Sequence, residues 1–241
     1  MRPLPGLSAI ICNTSTANIR AAKERGMSMA ITKEGVIALL EERRLEELAQ
    51  LVAQKKSVLR YLNRLLSERE SLLRWRAIEA MGEVAHRLAG ENPEAVRVIL
   101  RSLLWSINDE SGGIGWSAPE CIGEIIYRRS RLFGEFASII IAHAEEEMLR
   151  RGVLWAAWRI SQAEPGLLRE EVKGLAEYLD DPQPAVRGYT IGFLDIMGER
   201  PNPARHLSLL EDGANVPLYE DGRLYQVSVS ELARPWFFRQ K

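Results

Sequence analysis

Leu73-Arg74-Trp75-Arg76-Ala77-Ile78-Glu79-Ala80-Met81-Gly82 decides the fold, because its pattern returns three more times. It comes back as Ile114-Gly115-x-x-Ala118-x-x-Cys121-Ile122-Gly123, as Leu149-Arg150-x-x-Val153-x-x-Ala156-Ala157, and as Val186-Arg187-x-x-Thr190-x-x-Phe193-Leu194, at intervals of 35 to 41 residues. Within each copy the apolar and small residues fall at i, i+4, i+7 and i+8, which is one face of an α-helix. A phrase repeated at this period marks a solenoid, in which each helix pair hides its apolar stripe only by stacking on its neighbours. The expected fold class is all-α: an α-solenoid of helix pairs, followed by a C-terminal β-hairpin and short helix. Such a molecule offers a long concave surface rather than an enclosed catalytic pocket.

The flanking sequence fills in the pairs. Residues 33–54 suit one long amphipathic helix or two short ones that cap the row. The pairs then read 56–67 with 71–89, a helix opening at Asn92-Pro93-Glu94 with the second phrase, 131–143 with 147–162, and 167–179 with 183–198. Asn followed by Pro matches an N-cap and the first helical position. After Pro201 the pattern changes. Asp221-Gly222 is a two-residue turn that pairs Leu218 with Tyr225 and Val216 with Val227, and Ser230 is placed to cap a final helix. The hairpin is expected to pack on the last repeat and seal its end, the alternative being a flap that meets a partner. The chain divides into a disordered or poorly structured extension at 1–32, the solenoid at 33–200, and a hairpin and helix cap at 201–241.

Composition narrows the function. The 241 residues carry 32 basic and 33 acidic side chains, a formal net charge of −1, which removes the usual warrant for a dedicated nucleic-acid binder. Cys12 and Cys121 belong to no Cys-x-x-Cys or Cys/His cluster, and Cys121 stands in a small-residue slot where burial is expected. No apolar stretch reaches membrane-spanning length. The opening run from Met1 to Cys12 is short and broken by Pro5 and Gly6, so a cytoplasmic location is expected.

Asp181-Pro-x-x-x-Val186-Arg187 and the Ala77-to-Val84 passage resemble the HEAT-like repeats first associated with phycobilisome lyases and found in many bacterial proteins. The resemblance covers roughly residues 55–200 and implies an α-solenoid used mostly for binding. In that family an acid six residues before the arginine ties the interhelical turn to the row of second helices. Here the acid slot holds Glu68, Asp109, Ala144 and Asp181, and the arginine slot holds Arg74, Gly115, Arg150 and Arg187. Asp109 is therefore expected to pair across the stack with Arg74 or Arg150.

The strongest departure from the repeat is Asp109-Glu110-Ser111-Gly112-Gly113-Ile114-Gly115-Trp116-Ser117-Ala118-Pro119-Glu120. Three glycines and Pro119 disfavour a helix interior, so a late start is expected, with Ser117 as N-cap and Glu120 completing a capping box. The candidate partner-binding residues are Asp109, Glu110, Gly112, Gly113, Gly115, Trp116 and Glu120, with Arg74, Arg150 and Trp155 on second helices. The competing reading is a wide structural turn. Tryptophans 75, 105, 116, 155 and 158 either line the concave face or fill the core.

No catalytic motif of the nucleophile, P-loop or zinc type is present. Glu120 and Glu124 lie one turn apart, but His86, His143 and His206 are not spaced to join them, so neither metal nor cofactor is expected. The Glu124-to-Arg128 spacing suits a surface ion pair. The leading expectation is a non-enzymatic scaffold for a protein or peptide partner. The alternative is a DNA-repair enzyme resembling alkylpurine glycosylases built from HEAT-like repeats, with Trp105, Asp109, Arg150 and Trp155 as its candidates. A pigment-lyase role rests on fold analogy alone.

Overall fold

The computed structural model describes residues 32–55, 57–67, 70–107 and 117–239. Apart from Thr32, the expected extension lies outside them. The chain is mostly helical, with one small antiparallel hairpin near its C-terminus.

Thr32 opens the first helix by accepting a hydrogen bond from the Gly35 amide at 3.2 Å. α1 (Lys33–Glu41) and α2 (Leu45–Gln54) are separate helices, because Arg43 takes a left-handed backbone (φ 54°) between them. α3 (Ser57–Leu66) pairs with α4 (Leu72–Glu91), and α5 (Pro93–Ile107) with α6 (Ala118–Arg128). Asn92 caps α5 as expected, its side chain accepting from the Ala95 amide at 3.1 Å. The first members of the next two pairs are not the single helices expected. One is split into α7 (Ser130–Phe133) and α8 (Ala137–Ile141) by a 3-10 turn, before α9 (Glu147–Ala163). The other keeps only α10 (Val172–Ala176) between 3-10 turns, before α11 (Pro184–Met197). Gly134, Gly166 and Gly174 fall in these two segments and weaken their helical preference.

The second members pack in series: α2 on α4, α4 on α6, α6 on α9 and α9 on α11. One continuous apolar core runs through them, from Val36 to Trp236. At Gly123 the backbones of α6 and α9 come so close that a Cβ would lie 2.7 Å from the Cα of Ala156. Cys121 is fully buried beside it, and burial pushes its thiol well above the usual range. No helix among the described residues is long and apolar enough to cross a membrane.

The interhelical turns repeat one chemistry. Asp181 accepts from the Gln183 amide through Oδ1 (2.8 Å) and from Arg150 through Oδ2 (3.0 Å), while Arg187 donates to the Asp181 carbonyl at 2.7 Å. Asp212 does the same one step later. It accepts from the Ala214 amide through Oδ1 (3.0 Å) and from Arg187 through Oδ2 (2.9 and 2.5 Å). The row therefore continues past residue 200: α12 (Pro203–His206) and its 3-10 extension precede the turn, and α13 (Val229–Phe238) packs on α11 after it.

The hairpin, β1 (Asn215–Glu220) and β2 (Arg223–Ser228), is inserted between that turn and α13. Its base is closed by Val229 N to Ala214 O (3.0 Å) and Ser230 N to Asp212 O (2.9 Å). The register pairs Leu218 with Tyr225 and Val216 with Val227, as expected. Asp221 and Gly222 both take positive φ (47° and 76°), the combination of a type I′ turn. The cap of α13 is Ser228, not Ser230. Ser228 and Glu231 form a reciprocal capping box, whereas the Ser230 amide is committed to Asp212.

Candidate functional site

The hairpin does more than rest on the last helix pair. At its base Val216 sits against Gly188 of α11, where a Cβ would come within 2.7 Å of the valine methyl. The buried Tyr189 hydroxyl donates to Pro217 O at 2.5 Å. Further along β1, Tyr219 stacks on Trp75 of α4, centroids 5.7 Å apart and planes 9° from parallel. Its hydroxyl donates to Glu79 Oε2 at 2.5 Å. Burial first, then the hydrogen bond to Glu79 and its charge, push this phenol well above its ordinary value, so it remains a donor. At the tip Arg43 donates to Asp221 O (2.7 Å), and Arg76 bridges Gly222 O (3.2 Å) to Glu41 O (2.8 Å). The hairpin thus spans from α11 to the earliest helices.

Ion pairs surround this strand. Glu79 also accepts from Arg43 (2.8 Å), and Arg128 reaches Glu83 (2.6 Å) and Glu124 (2.9 Å). Arg159 donates to Glu124 Oε2 at 2.7 Å and to Gln162 at 2.8 Å, and lies 3.5 Å above the Tyr127 ring. The Glu124-to-Arg128 pair exists, but it is not a surface feature, since Glu124 is buried between two guanidinium groups. Between this network and β1 lies a cavity of about 440 Å³, walled by Trp155, Trp158, Tyr127, Tyr219 and the carboxylates of Glu79 and Glu124. Its volume falls within the ~300–1,000 Å³ of ordinary ligand pockets.

A second cluster centres on a buried ion pair. Arg74 donates through Nε to Ser117 Oγ (2.8 Å) and through Nη2 to Glu120 Oε1 (2.5 Å), and Glu70 lies 3.4 Å from Nη1. Glu70 also accepts from the Trp75 indole and from Arg151. Arg74 is 2% and Glu120 1% exposed, so this pair holds α4 to α6 rather than meeting a ligand. The late start of α6 after Ser117 is as expected, but the capping box does not form. The Ser117 hydroxyl is spent on Leu66 O and Arg74, and Glu120 turns to the same arginine.

Of the residues singled out from sequence, Asp109, Glu110, Gly112, Gly113, Gly115 and Trp116 lie outside the described residues, as does any pairing by Asp109. Arg150 is engaged by Asp181, by the Ala144 and Glu145 carbonyls and by the Tyr178 ring. Trp155 packs on Trp75 (5.2 Å) and lines the cavity. Trp105 is 76% exposed on α5 and does not line the cavity. Arg150 and Trp155 share α9, and of the three only Trp155 lines the cavity. Glu79, Tyr127, Arg159 and Tyr219 were not singled out, and Trp158 only as one of the tryptophans of the concave face or the core. A signal was present: Trp155, Trp158, Arg159 and Gln162 follow at i, i+3, i+4 and i+7, an aromatic and polar stripe on one helix face. Comparison with protein-family models, with curated proteins and with solved structures returns no match.

Proposed function

We propose that this chain is a non-enzymatic scaffold, an α-solenoid of HEAT-like helix pairs that holds an extended protein segment on its concave, second-helix face. The observation that carries this reading is the hairpin. The face already grips one extended strand through an aromatic stack, a phenol-to-carboxylate bond and a tyrosine hydroxyl on the Pro217 carbonyl, while arginines hold the carbonyls of its turn. The main-chain carbonyl contact holds the strand in place and the aromatic pocket takes one of its side chains, a combination that suits a surface for extended chain segments. Beside the strand the cavity leaves more of the same face uncovered. The near-neutral charge of the chain fits a protein partner better than duplex DNA, which calls for several uncompensated cations.

The test is affinity purification with three full-length proteins. Gln162→Trp fills the cavity from α9, and Trp105→Ser alters the exposed tryptophan of α5. Partners retained by the wild type and by Trp105→Ser but lost with Gln162→Trp are expected. The same partners on all three proteins, or loss with Trp105→Ser alone, would remove the second-helix face from consideration.

A further inference from the structure

The cavity beside β1 has donors and acceptors that the chain itself does not use. Trp155 is only 5% exposed and lines the cavity, yet its indole N–H has no acceptor among the described residues and is not sealed from solvent. The Trp158 indole N–H is likewise without an acceptor there. At the rim stand Glu220 and Asp221, neither carboxylate within ion-pair distance of a cation among the described residues. Arg43 takes the Asp221 carbonyl and meets the Asp221 carboxylate only as a longer-range charge, its own ion pair being with Glu79. The cationic group in the wall, Arg159, is already committed to Glu124, Gln162 and the Tyr127 ring, so it does not call for an anion.

We propose that this cavity is the subsite for a basic side chain, lysine or arginine, carried by an extended peptide lying beside the hairpin. The aliphatic stem covers the indoles of Trp155 and Trp158. Peptide carbonyls accept from their N–H groups, and the cationic head reaches Glu220 and Asp221. Apolar stems with charged heads fit a wall that is aromatic inside and anionic at the mouth, and a cation gains further from the ring faces. This assignment rests on the second-helix face being the binding surface, and it names the chemistry which that surface selects.

Four capped pentapeptides, Ala-Ala-Xaa-Ala-Ala with lysine, arginine, glutamate or norleucine at the centre, test it against the full chain. The readout is the set of indole N–H signals of the isotopically labelled protein. The lysine and arginine peptides are expected to shift the Trp155 and Trp158 signals. In Glu220→Gln/Asp221→Asn their affinity should fall about two- to thirtyfold, the range of two exposed ion pairs. Both substitutions sit at the hairpin tip, and retained hairpin cross-strand signals verify that the fold is intact. Equal shifts from all four peptides would overturn the basic subsite while leaving the face as a peptide surface. An unchanged affinity in the double variant would overturn the role of the two carboxylates. No shift from any peptide at millimolar concentration would overturn both the subsite and the reading of the face.

Discussion

Tyr219→Ala should release the hairpin from the helices without unfolding them. The ring stacks on Trp75 at 5.7 Å and its hydroxyl gives Glu79 a 2.5 Å hydrogen bond, and alanine removes both. An aromatic pair is worth ~0.5–1.5 kcal/mol and a hydrogen bond to a charged group ~1.5–3 kcal/mol, so the strand loses roughly 2–4 kcal/mol of attachment. A change of that size raises the population of the detached hairpin about 30- to 1,000-fold. Native-state hydrogen exchange reads it directly: amides between Leu218 and Val227 should exchange faster by that factor, while those in the middle of α6 and α9 keep their rates. Tyr219→Phe retains the stack, and Glu79 keeps Arg43, so the acceleration should be about 10- to 150-fold, that of the lost hydrogen bond alone. Equal hairpin rates in wild type and Tyr219→Ala, or acceleration of α6 and α9 together with the hairpin, would refute an independently anchored strand.

Three further expectations concern the packing beneath it. Glu120→Ala takes from the buried Arg74 its closest carboxylate, leaving it Ser117 and the more distant Glu70, and should cost ~1.5–3 kcal/mol, a fall of roughly 3–12 °C in Tm by scanning calorimetry; a fall under about 2 °C would show that the pair is not a structural tie. In Gly152→Ala the new Cβ lands 2.5 Å from Glu120 Oε2 and should destabilise by ~1–3 kcal/mol in urea titration, whereas Gly174→Ala meets nothing within 4 Å and should not; equal midpoints would contradict the close approach. The Glu231 carboxylate is held below its ordinary value of 4.5, chiefly by the Ser228 amide and then by its hydroxyl. A depressed carboxylate stabilises the fold above its unfolded value and loses that contribution as pH falls through the folded one. Fraying at the start of α13 should therefore appear only below about pH 4.5 and be independent of pH in Glu231→Gln, as followed by amide shifts.

Which parts of this molecule could be read from sequence follows from the range of the forces involved. The second helices were legible because apolar residues at i, i+4 and i+7 declare a buried face locally, and Asp-Gly declared the hairpin and its register. The broken first helices were less so, since their apolar spacing survives while glycines and 3-10 turns interrupt the backbone. The continuation of the row beyond residue 200 was hidden by an insertion: Asp212 repeats the turn chemistry of Asp181, but fourteen residues of hairpin separate it from its helix. The site was least legible. Tyr219 and Glu79 are 140 residues apart, and nothing near either announces the other. Arg74 and Glu120 were singled out as partner-binding candidates, but their burial against each other depends on the approach of α4 to α6, a tertiary fact.

The long reach of β1 has a consequence for the order in which the molecule assembles. Helix pairs form from contacts a few tens of residues apart, whereas Arg43 meets Asp221 across 178 residues and Arg76 meets Gly222 across 146. Contacts of such separation carry the largest loop-closure entropy and come late. The helices should consequently assemble first, with Trp75 and Trp155 still wet, and the strand should dock as a distinct slow phase visible as a delayed change in tryptophan emission. In that interval the indoles are open to any other strand of suitable chemistry, which makes the newly made chain a different binding surface from the matured one.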